Sequence, residues 1–324
     1  MRHSILIASV TSLMLLYQAT SHGSEADNAP VLGVEKAMEL PISDAHFHVI
    51  PTFMEPDALL KTMDSQKIKW TGGAGYMAPD GRMARFHKAM GQRLKLYGGQ
   101  RESVNAYARH GAAPFENPSH PAAAEMLSQI EAGLKDGRFK GIGELHVNTL
   151  YTAPMKPGLR RKLPVDSPTF KAVFDLARKY KAPVDIHVEW DADTVEQLER
   201  ILTAYPRVPV KLAHCGKTST AGDIRATMTK FANVYCDLSS RPGKHRYHTP
   251  SVVIFTADGF QQDDWRKVIE DFPDRFTVGI DDVESWSEYE TVVKTIRKGL
   301  LAHLSPETAE KVAYKNADRL YGGQ

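Results

Sequence analysis

Two histidines one residue apart, His46 and His48, stand in the stretch Ile42-Ser43-Asp44-Ala45-His46-Phe47-His48. Successive side chains of an extended strand point to opposite faces, so Asp44, His46 and His48 share one face while Ala45 and Phe47 take the other. Two imidazoles side by side are half of a metal site. Neutral imidazole nitrogens bind Zn²⁺ at about 2.0–2.1 Å, and a catalytic site takes about three protein ligands and keeps one position open. Such a pair taken alone fits a surface position or satisfied buried rings equally well, so the reading depends on partners elsewhere in the chain.

Those partners stand in or just after strand-like runs: Glu144 in residues 139–147, His187 in 183–188, His214 directly after 208–213, and Asp281 directly after 276–280. Several histidines with one or two carboxylates suit Zn, with Mn or Fe as alternatives, whereas Ca and Mg favour oxygen-only sites. One or two ions are compatible with this set. A divalent ion acidifies water for attack on an ester, amide, lactone or phosphoester, and a carboxylate takes the proton. Asp281 is the expected base because it can reach both metal and water. His146 shares a strand face with Glu144 and is a candidate for orienting a ligand.

Further candidates lie close by. Arg241, Lys244, His245, Arg246, Tyr247 and His248 fall in a polar loop, 239–250, and Arg241 or His245 is a candidate clamp for an anionic substrate, with Lys217 a weaker one. Trp190 and Trp286 follow strands and suit either an aromatic pocket wall or rim packing.

The elements that must position these residues alternate. From residue 169 onward, helices at 169–180, 193–205 and 220–231 separate strands at 183–188, 208–213 and 234–238. A helix at 264–270, the strand 276–280 and helices at 288–298 and 306–320 follow. Earlier, the pattern predicts strands at 42–48, 67–70 and 139–147 with helices at 56–64, 83–96 and 121–134. A third strand is expected within 104–112, and the glycines at 72, 73 and 75 read as loop. Repeated strand–helix units imply parallel strands joined by crossovers. About eight units in one chain predict a single (β/α)8 barrel over 38–322, with the polar residues at the C-terminal strand ends where such barrels carry catalytic groups.

The composition permits this. The 324 residues are 42% hydrophobic and 25% charged, enough for a large core, and 41 basic against 39 acidic side chains give no field that would favour nucleic acid. Arg2 and His3 precede the apolar run 5–17 and then a small, polar stretch to Ala26. Residues 1–24 are therefore expected to be a secretory signal peptide, with periplasmic or secreted localisation and no stable membrane span after its removal. Cys215 and Cys236, the only cysteines, read as two buried thiols.

The motifs DAHFH at 44–48, IH at 186–187, LAHCG at 212–216, RFTVGIDD at 275–282 and KNADRLYG at 315–322 occur in order at barrel spacing. Together they resemble the amidohydrolase superfamily, in particular its amidohydrolase-related branch, which also contains metal-dependent decarboxylases. The resemblance implies a distorted (β/α)8 barrel and one or two divalent ions held by His46, His48, His187, His214 and Asp281. It also implies water activation by the metal with Asp281, and His214 either binding metal or polarising substrate. Glu144 stands where several members use a carboxylated lysine, so a second ion would use Glu144 as its bridge, as in TatD-like nucleases. The residue before the final aspartate, usually serine, is Ile280 here.

The expected function is hydrolysis of a small organic ester, lactone or amide, an activity that suits an exported enzyme acting on environmental compounds. The alternatives are nonoxidative decarboxylation of a small carboxylic acid, for which an anion clamp such as Arg241 facing the metal would speak, and a non-catalytic exported metal-binding protein. The expected partner is a small, possibly anionic molecule, and a homo-oligomer is compatible with the sequence.

Overall fold

A computed structural model of the protein describes residues 30–49, 54–76, 80–150, 160–242 and 252–321. The expected signal peptide and the basic residues 244–248 lie outside the described residues. Eight parallel strands form one sheet in chain order: β1 (Ile42–Phe47), β2 (Ile68–Gly73), β3 (Leu94–Gly99), β4 (Phe139–His146), β5 (Val184–His187), β6 (Val210–Leu212), β7 (Val234–Asp237) and β10 (Phe276–Thr277). A short antiparallel hairpin, β8 (Phe255–Thr256) with β9 (Gly259–Phe260), precedes the last of these. The sheet closes on itself where the chain after β10 runs beside β1. Ala45 N–H donates to the Val278 carbonyl at 3.0 Å, and the N–H groups of Ile280 and Asp281 donate to the His46 carbonyl at 3.0 and 2.7 Å.

The strands are buried on both faces, and their apolar runs meet helices whose starts are set by local chemistry. Ser167 accepts from Phe170 N, Asp191 from Thr194 N, and Thr220 and Asp223 cap each other's backbone N–H groups at the start of the helix Ala221–Lys230. The floor of the barrel is closed by Tyr97, Trp70 and Tyr321 around Ala45 and Ala317. Asn316, of the KNADRLYG motif, donates at 2.8 Å to the carbonyls of both Pro273 and Phe276 and so ties the last helical segment to the entry of β10. No helix among the described residues is long and apolar enough to cross a membrane.

Two expectations fail in the third unit. The third strand is Leu94–Gly99, and residues 104–112 lie mostly in the helix Gln100–His110. Met83, Phe86, Met90 and Leu94 keep helical spacing, which hides the strand in a longer apparent helix; the helix Asp80–Met90 in fact stops at Gly91, whose φ is +54°. Gly72 and Gly73 end β2 and do not form a loop. A Cβ on Gly73 would sit 2.4 Å from the Ala45 carbonyl oxygen, so glycine is what lets β2 lie against β1 at that level.

Candidate metal centre

All six expected residues, His46, His48, Glu144, His187, His214 and Asp281, converge at one end of the barrel. Glu144 is central. Its Oε2 lies 3.3 Å from His48 Nε2 and 3.9 Å from His46 Nε2, while its Oε1 lies 2.8 Å from His187 Nδ1 and 3.4 Å from His214 Nε2. Asp281 faces it, with Oδ1 3.8 Å from His46 Nε2 and 3.6 Å from His48 Nε2, and Oδ2 3.9 Å from His214 Nδ1. Three groups of potential ligands result: His46 with His48 and Asp281, His46 with His214 and Asp237, and Glu144 with His187 and His214.

The backbone bends to bring these groups in. His214, Cys215 and Asp281 have φ of +55°, +53° and +69°, a left-handed conformation that costs non-glycine residues roughly 1–3 kcal/mol each and clusters at functional sites. At Gly279 a Cβ would fall 2.5 Å from His46 Cβ and 2.9 Å from Ser239 Cβ, so the missing side chain makes room for His46.

Ring protonation shows what the centre can hold. His48 Nδ1 lies 3.1 Å from the Gly75 carbonyl and His214 Nδ1 lies 3.1 Å from the Ser239 carbonyl. A carbonyl only accepts, so both Nδ1 atoms carry the proton and both Nε2 atoms present a lone pair. His46 Nδ1 in turn donates to Asp237 Oδ2 at 3.0 Å, and its buried Nε2 has no hydrogen-bond partner. With these rings neutral, three imidazole lone pairs face two carboxylates, an arrangement that a metal cation satisfies and that protons satisfy otherwise. Donor atoms about 2.0–2.1 Å from a tetrahedral ion stand roughly 3.3 Å apart, close to the 3.3–3.9 Å found among His46, His48, Glu144 and Asp281. The residues present fit a divalent metal.

Protonation follows the same surplus of negative charge. Burial works against a charged His46, yet Asp237 and Glu144 raise it to about 10. Burial also opposes ionisation of Glu144, but the imidazoles of His146, His46 and His187 hold its carboxyl well below the usual range. Burial wins at His214, pushed down to about 3, which keeps that ring neutral.

Three residues that strand-end reasoning passed over complete the surroundings. Asp237, at the end of β7, holds His46 from behind and accepts from His214 N at 3.3 Å; the only signal was an acid closing an otherwise apolar strand. Lys211 lies under the site, 3.3 Å from Asp185 and 3.5 Å from Asp237, and donates to the carbonyls of Ala45 and Gly73. Gln100, the first residue of its helix, reaches Glu144 Oε2 at 3.4 Å and His146 Nε2 at 3.3 Å. His146 itself lies 3.0 Å from Glu144 Oε2, which places it beside the centre.

Arg241 is not the expected clamp. It is fully buried, and its guanidinium donates to the carbonyls of His214 (2.8 Å), Val252 (2.9 Å) and Ser219 (3.3 Å), so it braces the chain behind His214. Lys217 is likewise buried and donates to the Ser240 carbonyl at 2.9 Å. Trp190 packs over Gly216 and Trp286 lies edge-on to Tyr289. Cys215 and Cys236 are free, buried thiols.

A parallel eight-stranded barrel with a histidine–carboxylate cation site at its strand ends defines the class of metal-dependent barrel hydrolases and decarboxylases. The chain belongs to the amidohydrolase superfamily: the model of an amidohydrolase family matches residues 43–323. No curated protein matches it. Among solved structures, it is similar to an amidohydrolase from Burkholderia multivorans with bound HEPES (15% identity, 87% of this chain and 99% of that one, TM-score 0.53). It is also similar to 2,6-dihydroxybenzoate decarboxylase from Rhizobium (13%, 87% and 98%, 0.52). A third is a probable 2-pyrone-4,6-dicarboxylic acid hydrolase from Acinetobacter baumannii with citric acid bound (13%, 87% and 100%, 0.52). At these identities the likeness is one of fold.

Proposed function

We propose that the protein is a metal-dependent hydrolase of a small organic ester, lactone or amide. The observation that carries this reading is the position of Asp281: one carboxylate oxygen faces His46 and His48 while the other faces His214. One side chain can thus help hold an ion and still have an oxygen ready for a proton.

His46, His48, His187, His214, Glu144 and Asp281 would hold the ion or ions, most simply Zn, with one Glu144 oxygen on the His48 side and the other on the His187 side. Such an ion supplies Lewis acidity for a substrate carbonyl and acidity for a water. Asp281 accepts the proton of the attacking water and returns it to the leaving oxygen or nitrogen. His214, kept neutral by burial and with its Nδ1–H on the Ser239 carbonyl, offers its Nε2 lone pair as a ligand. Asp237 fixes the His46 ring by holding its Nδ1–H, the kind of support that sets ligand orientation in metal sites.

Decarboxylation remains the alternative, since the similar folds include both reactions. Arg241 gives it no support, because its guanidinium is committed to backbone carbonyls. The test is turnover by the Zn-loaded protein of a panel of aryl esters, lactones and anilides beside hydroxybenzoic acids. Ester, lactone or amide cleavage that disappears with chelator is the expected result; release of CO₂ with no cleavage would overturn the reading.

A further inference from the structure

Ser239 offers the metal centre no ligand of its own, yet it is fully buried behind two rings that do, His46 on β1 and His214 just after β6. Its hydroxyl lies 2.8 Å from His214 Nδ1 and also meets Asp237 Oδ1. Asp237 Oδ2, the other oxygen of that carboxylate, lies 3.0 Å from His46 Nδ1. The two rings stand side by side, their centroids 4.8 Å apart. Asp237 and Ser239 therefore join the backs of two candidate ligands, and none of the four residues is more than 3% exposed.

Chemistry places the hydrogens along this run. Asp237 has the Lys211 ammonium 3.5 Å from its Oδ2, and a carboxylate only accepts, so the single hydrogen of the Ser239 hydroxyl goes to Asp237 and its lone pairs are left for His214. The Ser239 carbonyl, 3.1 Å from the same His214 nitrogen, also only accepts. His214 and His46 thus both donate through Nδ1, and in the neutral rings Nε2 keeps the lone pair. Those Nε2 atoms lie on the Glu144 side, 3.4 Å from its Oε1 for His214 and 3.9 Å from its Oε2 for His46. Asp237 Oδ1 also receives the backbone N–H groups of Ser239 at 3.1 Å and His214 at 3.3 Å, which fixes the carboxylate in turn. Gly279, whose missing side chain makes room for His46, leaves the same room for Ser239, whose Cβ lies 2.9 Å from where a Cβ on that glycine would stand.

We propose that Ser239 is a positioning residue of the metal centre: it links the Asp237 carboxylate to His214, so that one acid sets the metal-facing nitrogen of two ligand rings. This rests on the metal-binding part of the reading above and is independent of which bond is cleaved. In Asp237→Asn the Oδ1 side still faces three donors, the Ser239 O–H and N–H and the His214 N–H. The amide oxygen therefore stays on that side and the NH₂ turns to His46, whose Nδ1–H is left without an acceptor. The Ser239 hydroxyl then donates to a neutral oxygen, a weaker bond, and His214 feels the change through it. In Ser239→Ala, His46 keeps its acceptor and His214 is left with the carbonyl alone.

Two measurements on the full chain test this without turnover: zinc affinity, by competition with a chromophoric chelator, and the histidine ring N–H resonances of isotopically labelled, Zn-loaded protein. In wild type, His46 and His214 should both bind zinc through Nε2 and each show an Nδ1–H resonance. Asp237→Asn should weaken zinc binding about ten- to a hundredfold, the usual cost of losing the partner behind a metal-bound histidine, and shift both ring resonances. Ser239→Ala should weaken it by up to about tenfold, the low end of that range, and shift the His214 resonance alone. A D237N protein whose His214 resonance is unmoved would break the link, and zinc affinity unchanged in both variants would overturn the proposal. So would attachment of either ring to zinc through Nδ1 in wild type, a result that needs no variant to fold. A protein with the expected signatures that cleaves no ester, lactone or amide supports the shared anchor and defeats only the reaction.

Discussion

Asp281→Asn keeps the shape of the side chain and removes its basicity. If Asp281 is the proton acceptor, turnover should fall by roughly 10²–10⁴, the usual worth of a positioned acid–base group, in protein shown by elemental analysis to carry its metal; near-normal turnover in such protein would end that assignment. His46→Ala and His48→Ala address the ligands. Each should strip most bound metal while the far-ultraviolet circular dichroism stays that of a folded barrel, and full metal stoichiometry in both variants would contradict it. These residues were legible in the sequence because their strands end where chemistry begins: a histidine or acid after an apolar run is conspicuous. Asp237 and Asp185 were not, since a single acid within a short strand looks the same whether it holds an imidazole or a lysine. The fate of Arg241 was hidden too, because the carbonyls it serves come from residues 11 to 27 positions away.

Elements place these residues, and two positions test how. Gly279→Ala puts a methyl 2.5 Å from His46 Cβ, which should cost about 1–3 kcal/mol by overpacking and lower metal content as well. Gly81→Ala, with nothing within 4 Å of the added carbon, should be neutral or slightly stabilising and serves as the control in thermal melts. Equal melting temperatures and metal contents for the two variants would show that Gly279 does not hold the space for His46. Asn316→Ala leaves the carbonyls of Pro273 and Phe276 without their donor and should destabilise by about 1–3 kcal/mol, read as a lower urea midpoint. The regular units from residue 169 onward were readable because each helix and strand has its own clean period. The third unit was not, because one residue set obeys the helical period on both sides of Gly91, and only that glycine's left-handed backbone decides where the helix ends.

For the molecule as a whole, a ligand that binds only the folded chain stabilises it by mass action, by about 2.7 kcal/mol at a hundred times its dissociation constant. Chelation should therefore lower the melting temperature by several degrees, and added Zn²⁺ should restore it; an unchanged melt would mean that no ion is part of the native state. We also propose that residues 1–24 direct export and are removed, so that N-terminal sequencing of protein from its native cell begins between about residues 20 and 27. Intact protein starting at Met1 in the cytosol would refute this. The order of the chain gives the seam of the barrel a further meaning. The His46 carbonyl receives the N–H groups of Ile280 and Asp281, so the earliest and latest donor residues to leave the ribosome meet on either side of one pair of hydrogen bonds. A nascent or translocating chain holds only part of the ligand set until its final quarter arrives. If residues 1–24 export the chain before it folds, as proposed, metal loading is deferred to the compartment in which the barrel closes, and the ion supply there, rather than at the site of synthesis, decides which metal the protein carries.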